Sequence, residues 1–112
     1  MSKAALFIRH KALPGKREHV RRVWDKHLRP QIADNPRHEA YYCCYDDHDF
    51  DVIVVFQLYT DQDAPKQVLE LPEYAAYWAE VSPLLAGDSD FRSVSLQWAK
   101  TGAVKPSGGY VG

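Results

Sequence analysis

The sequence predicts an α+β domain whose elements run β-α-β-β-α-β, with four strands in one antiparallel sheet and the helices on one of its faces. Three observations lead there. Apolar residues recur with period two in residues 4–12, 41–45, 52–59 and 91–98, and with period three to four in 16–32 and 72–81. Clusters of Pro, Gly and Asp punctuate each change of period. A chain of 112 residues suffices for one hydrophobic core and is too short for two.

The first strand is AALFIRHKA, with Leu6, Ile8 and His10 facing one way and Phe7, Arg9 and Lys11 the other. Pro14 and Gly15 then make a turn. In KREHVRRVWDKHLRPQI the stripe Val20, Val23, Trp24, His27 and Leu28 follows helical spacing, while Arg17, Glu18, Arg21 and Arg22 take the wet side. Pro30 should kink or end that helix, and ADNP at 33–36 ends it. The hairpin YYCCYDDHDFDVIVVFQLY follows, rich in the aromatic and β-branched residues that suit strands, with Asp46 to Asp51 as its turn. Asp61 or Asp63 can cap a short helix reaching about Glu70, with Pro65 in its first turn. A second helix opens at Pro72, carries Tyr74, Tyr77, Trp78 and Val81 on one stripe, and closes at Pro83 and Gly87. The last strand is expected from Phe91 to Trp98. This order is the split arrangement of ferredoxin-like folds. Residues 1–100 form the domain, and 101–112 form a tail expected to pack on a partner subunit.

The composition narrows the function. Fourteen basic and fifteen acidic side chains give a net charge of −1. A nucleic-acid surface needs a basic excess, so that class is disfavoured. No apolar run approaches the roughly 20 residues of a membrane span, and the opening MSKAALFIRHK is too charged for a signal peptide. Two adjacent cysteines, Cys43 and Cys44, make no disulfide framework. The expectation is a cytoplasmic, reduced protein.

The strand at 52–59 implies a partner. Val52, Val54, Phe56 and Leu58 line one face and Ile53, Val55, Gln57 and Tyr59 the other, so both faces are largely apolar. The helices cover one face. Leaving four such side chains in water would cost about 1.5–3 kcal/mol each. A second copy packed through the sheet faces is the expected solution, making a homodimer; a first helix and tail wrapping both faces is the alternative.

The cluster DDHDFD is the conspicuous polar motif. Asp47, Asp49 and Asp51 imitate the start of a calcium loop, but Val52 stands where that loop needs glycine and Leu58 where it needs a bidentate Glu. A turn whose carboxylates bond nearby backbone N–H groups is the simpler reading. Cys43 and Cys44 point to opposite sheet faces, and the five histidines lack tight ligand spacing. No metal is expected.

The remaining candidates gather where helices should meet sheet. Tyr59 and Gln57 share one face of their strand, Arg9 and Lys11 come from the first strand, and Tyr74 and Trp78 from the later helix. His27 and Trp24 lie on the first helix, and Arg92 on the last strand. A cavity walled by rings and holding a few donors suits a flat aromatic ligand, although such rings also fill ordinary cores. A guanidinium on a covered face needs a carboxylate or ligand oxygen, which singles out Arg9.

The stretches ALFIRHKALPGKREHVRRVW, YYCCYDDHDFDVIVVFQLYTDQDA and LPEYAAYWAEVSPLLAG resemble the antibiotic biosynthesis monooxygenase superfamily of dimeric α/β-barrel proteins. The resemblance implies face-to-face dimers and a pocket in each subunit between sheet and helices. It also implies oxidation of a phenolic, anthrone or quinol small molecule by O2 without a cofactor. On that reading Arg9 and Tyr59 are catalytic, stabilising a phenolate with Gln57. Tyr74, Trp78, His27 and Arg92 bind the substrate. Haem-degrading relatives carry Asn, Trp and His where this chain has Arg9, Tyr59 and Trp78, so haem breakdown is disfavoured. An isomerase or cyclase, or a binding dimer without catalysis, are the competing readings.

Overall fold

A computed structural model describes residues 3–100. The strands are β1 (Ala4–Lys11), β2 (His38–Tyr45), β3 (Val52–Tyr59) and β4 (Asp90–Val94). The helices are α1 (Arg17–His27), α2 (Arg29–Asp34), α3 (Ala64–Leu69) and α4 (Pro72–Val81). The sheet order is β2-β3-β1-β4 and every pairing is antiparallel. This is the ferredoxin-like topology the sequence predicts. The expected tail at 101–112 lies outside the described residues.

Local chemistry explains each boundary. Gly15 adopts φ +77° in the turn after β1, a conformation that favours glycine, and its N–H donates to Asp51 Oδ1 at 3.0 Å. Pro30 falls in the first turn of α2, where its missing N–H costs nothing, so the long helical stripe divides at Leu28. Asp61 Oδ1 accepts the N–H groups of Asp63 and Ala64 at 2.9 and 3.0 Å, capping the start of α3. In the β2–β3 turn Asp46 Oδ1 accepts from the N–H of His48 and Asp49 at 2.7 and 2.9 Å, and Asp49 Oδ1 from that of Asp51 at 3.1 Å. Three carboxylates of the acidic cluster, those of Asp46, Asp49 and Asp51, thus accept from backbone N–H groups, and no group of three or more His, Cys, Asp or Glu that could hold a metal occurs among the described residues.

One boundary differs from expectation. β4 stops at Val94 rather than Trp98. It is an edge strand with β1 as its neighbour, and the ladder ends at Ala5↔Val94 because β1 itself begins at Ala4. Trp98 is left 53% exposed.

The two sheet faces have different fates. On the inner face Ile8, Ile53 and Val55 pack with Val20 and Val23 of α1 and Tyr77 and Val81 of α4 in one core. On the outer face the pairing sets Tyr42, Phe56 and Phe7 side by side across β2, β3 and β1. Their rings touch, with centroids 6.3 and 4.9 Å apart. Phe7 is 44% and Tyr42 59% exposed. No helix among the described residues is long and apolar enough to cross a membrane.

Candidate functional site

A cavity of about 180 Å³ opens between the inner face of the sheet and the helices. Alternation along β1 turns Leu6, Ile8 and His10 into it, and the same alternation along β3 delivers Gln57 and Tyr59. β2 supplies His38 and Tyr41, while Tyr74 and Trp78 of α4 form the opposite wall. Ile32 and Asn35, at the end of α2, and Val68 and Leu71, around α3, complete the rim, and of these four only Asn35 is polar. Phe91 of β4 closes the side next to Trp78, with ring centroids 6.2 Å apart.

The polar groups at the Tyr59 end form one network. Gln57 is 7% exposed, and its Oε1 accepts a hydrogen bond from the Tyr59 hydroxyl. His38 Nε2 lies 3.4 Å from the same oxygen, while His38 Nδ1 is buried without a partner. An orphaned lone pair is cheaper to bury than an orphaned N–H, so the proton belongs on Nε2 and is directed at Gln57. Gln57 Oε1 thus receives two donors, and its amide NH2 is what the side chain retains for a ligand. Tyr41 accepts from Trp24 Nε1–H at 3.0 Å, with the two rings stacked at 5.6 Å.

Burial governs protonation throughout. It raises the phenols of Tyr41 and Tyr59 well above the ordinary range, so both remain neutral. Burial also lowers His38, opposed by its bond to Gln57. At the other end of the cavity His10 is 5% exposed, and burial pushes its pKa down to about 4. Its ring meets Trp78 and Phe91 edge-on at 5.9 and 6.1 Å.

No protein-family model and no curated protein matches this sequence. Solved structures do. A protein of Chloroflexus aurantiacus, provisionally named an antibiotic biosynthesis monooxygenase, aligns at TM-score 0.75 and 21% identity over 88% of this chain and 96% of its own. One from Caulobacter crescentus, named in the same way, aligns at TM-score 0.80 and 20% identity over 87% and 92%. The chain shares the fold of these proteins. A protein of unknown function from Nitrosomonas europaea aligns at TM-score 0.74 and 25% identity over 96% of this chain and 98% of its own. Likeness at this level establishes the fold, and the chemistry has to be argued from the site.

Within this fold the residues expected to cooperate are divided. Gln57, Tyr59, Tyr74 and Trp78 meet at the cavity. Arg9 does not. It alternates to the outer face, pairs opposite Val54, stays half exposed and lies 4.0 Å from Asp49. The two-residue period of β1 puts Arg9 with Phe7 and Lys11, on the face opposite Gln57. Arg92 also faces outward, opposite Phe7, and donates to Asp90 Oδ2 at 3.2 Å. His27 bonds Glu80 Oε1 at 2.7 Å, tying α1 to α4 outside the cavity.

The cavity is also lined by His10 and His38, which ligand spacing does not single out, since each stands alone in the sequence. The available signal was face-sharing: His10 alternates with Leu6 and Ile8 on β1. His38 precedes the strand as read from Tyr41, so its place on β2 emerged only when pairing extended the strand back to residue 38.

Proposed function

We propose that the chain binds a single-ring phenol or quinol in this cavity and oxidises it with O2, without a bound cofactor, as a homodimer joined through the outer faces of its sheets. The observation that carries the reading is a cavity with aromatic walls in which three polar side chains, Gln57, Tyr59 and His38, are linked to one another at one end. A cavity of about 150 Å³ is known to hold a benzene ring, so 180 Å³ favours one substituted ring over the three fused rings of an anthrone. The outer-face row of Tyr42, Phe56 and Phe7, whose two end rings are exposed, supports the dimer.

In this reading the deprotonated ring supplies the electrons. One oxygen atom enters the ring and the other leaves as water, so that a hydroquinone becomes a hydroxyquinone. The protein holds the ring between Tyr74 and Trp78, excludes bulk water, and offers the Gln57 amide to a ring oxygen. Tyr59 acts here as the group that fixes Gln57, since its hydroxyl proton is already given to that side chain.

The test is O2 consumption with a panel of substituted hydroquinones and anthrones. Hydroquinones should be consumed above the uncatalysed rate, with the fused compounds slower, and Gln57→Leu should lower the rate about tenfold or more. No uptake across the panel would refute catalysis and leave a ligand-binding dimer. Turnover that continues under argon would assign an isomerase or cyclase instead.

A further inference from the structure

The mechanism above removes a proton from the ring hydroxyl but names no group to receive it. Neither tyrosine serves, because burial keeps both phenols protonated. His38 offers no open nitrogen: Nε2 faces Gln57 and Nδ1 is buried. His10 is differently placed. It lines the cavity, its Nδ1 is hydrogen-bonded to Ser89 Oγ, and its Nε2 has no protein partner among the described residues. Ser89 in turn lines a separate, open groove with Asp88, Gly87 and Ser82. Trp78 and Phe91 line both spaces and form the partition between them.

The relay uses the tautomer with the proton on Nδ1, donated to Ser89 Oγ. That form leaves the lone pair of Nε2, the nitrogen without a protein partner among the described residues, for a ligand in the cavity.

Resting on the reading that a ring hydroxyl is deprotonated here, the geometry points to His10 and Ser89 as a relay that carries this proton out of the cavity to the surface groove. The ring O–H gives its proton to His10 Nε2. His10 Nδ1 gives its own to Ser89 Oγ, and the serine's original hydroxyl proton passes to water in the groove. Each O–H or N–H bond broken is matched by one formed, and one proton reaches solvent. The imidazole ends as the opposite tautomer, with Nε2–H donating to the phenolate and Nδ1 accepting from Ser89. At no stage does it hold a net positive charge, which its apolar surroundings would penalise. His10 is thus a catalytic residue, and Ser89 a positioning residue that acts through it.

The experiment needs no turnover. 4-Nitrophenol, whose phenolate is yellow, is mixed with the full-length protein under argon in a stopped-flow instrument at a pH somewhat below its free pKa. The wild type should bind it with a phenolate fraction well above that in buffer. Ser89→Ala should bind it within about threefold of wild-type affinity and reach a similar final colour, but the colour should develop at least tenfold more slowly, and Ser89→Thr should restore the rate. His10→Gln should bind without colour. An unchanged rate of colour development in Ser89→Ala overturns the relay, as does a bound probe that stays colourless in the wild type while hydroquinones are still oxidised. If the wild type neither binds the probe nor consumes O2 with any hydroquinone, the functional reading fails and the relay with it.

Discussion

Replacing Phe7 with Asp tests the dimer most directly. Phe7 sits in the middle of the outer face, opposite Phe56 on one side and Arg92 on the other. It is 44% exposed, which for a ring side chain of roughly 200 Å² leaves about 90 Å² in contact with water. At about 25 cal/mol per Å², covering that area is worth about 2 kcal/mol. A two-fold axis counts it twice, so the dimer gains about 4 kcal/mol from this side chain, or roughly a thousandfold in Kd. The substituted carboxylate adds a desolvation cost, so Phe7→Asp should weaken association by a thousandfold or more. Sedimentation equilibrium from nanomolar to high micromolar protein reads this directly, with circular dichroism as the check that the monomer stays folded. A wild type that is monomeric at tens of micromolar would refute the argument. So would an unchanged dissociation midpoint in the variant.

Two further outcomes follow from single residues. His10 is held near pKa 4 by burial against 6.5 in the unfolded chain. Between those values the unfolded state binds a proton that the folded state refuses. The stability is therefore fully present above pH 6.5 and is lost as pH falls toward 4, by up to about 3 kcal/mol from this residue. His38, lowered in the same direction, adds to the loss. The carboxylates Asp46, Asp49, Asp61 and Glu80, all lowered chiefly by hydrogen bonds, add their own loss as pH falls through their unfolded values of 3.8 to 4.5, so at pH 4.5 Glu80 has begun to contribute. Urea melts at pH 7 and 4.5 should show the drop, and His10→Asn should flatten it; equal midpoints for the wild type at both pH values would contradict the burial argument. Arg17 donates through Nη1 to the carbonyls of Asp46, Asp49 and Val52 at 2.9, 3.2 and 3.2 Å and stacks over Tyr45 at 3.9 Å. Arg17→Ala should cost about 2 kcal/mol in thermal or urea unfolding. Arg17→Lys should not restore it fully, because an ammonium lacks the flat guanidinium face that stacks over Tyr45; full recovery with Lys would show that charge alone mattered.

The element order, the strand at 52–59 and the division of the long helix at Pro30 were all legible in the sequence, because periodicity and proline chemistry are local. So was the two-sided apolar character of β3, and with it the argument for a partner. The cavity was legible in part: Gln57, Tyr59, Tyr74 and Trp78 could be listed from face and stripe.

Which residues share that cavity was decided by tertiary pairing. The two-residue period already groups His10 with Leu6 and Ile8 and separates Arg9 from them; the register Leu6↔Gln57 and Arg9↔Val54 decides that the His10 group shares the inner face with Gln57 while Arg9 goes outward with Val54. The bonds joining Tyr59, His38 and Gln57, and those joining His10 to Ser89, link residues up to 79 positions apart. Sequence chose the residue types and the faces they occupy. Only the packed sheet settles which donor meets which acceptor, since hydrogen bonds depend on distances that no local pattern encodes.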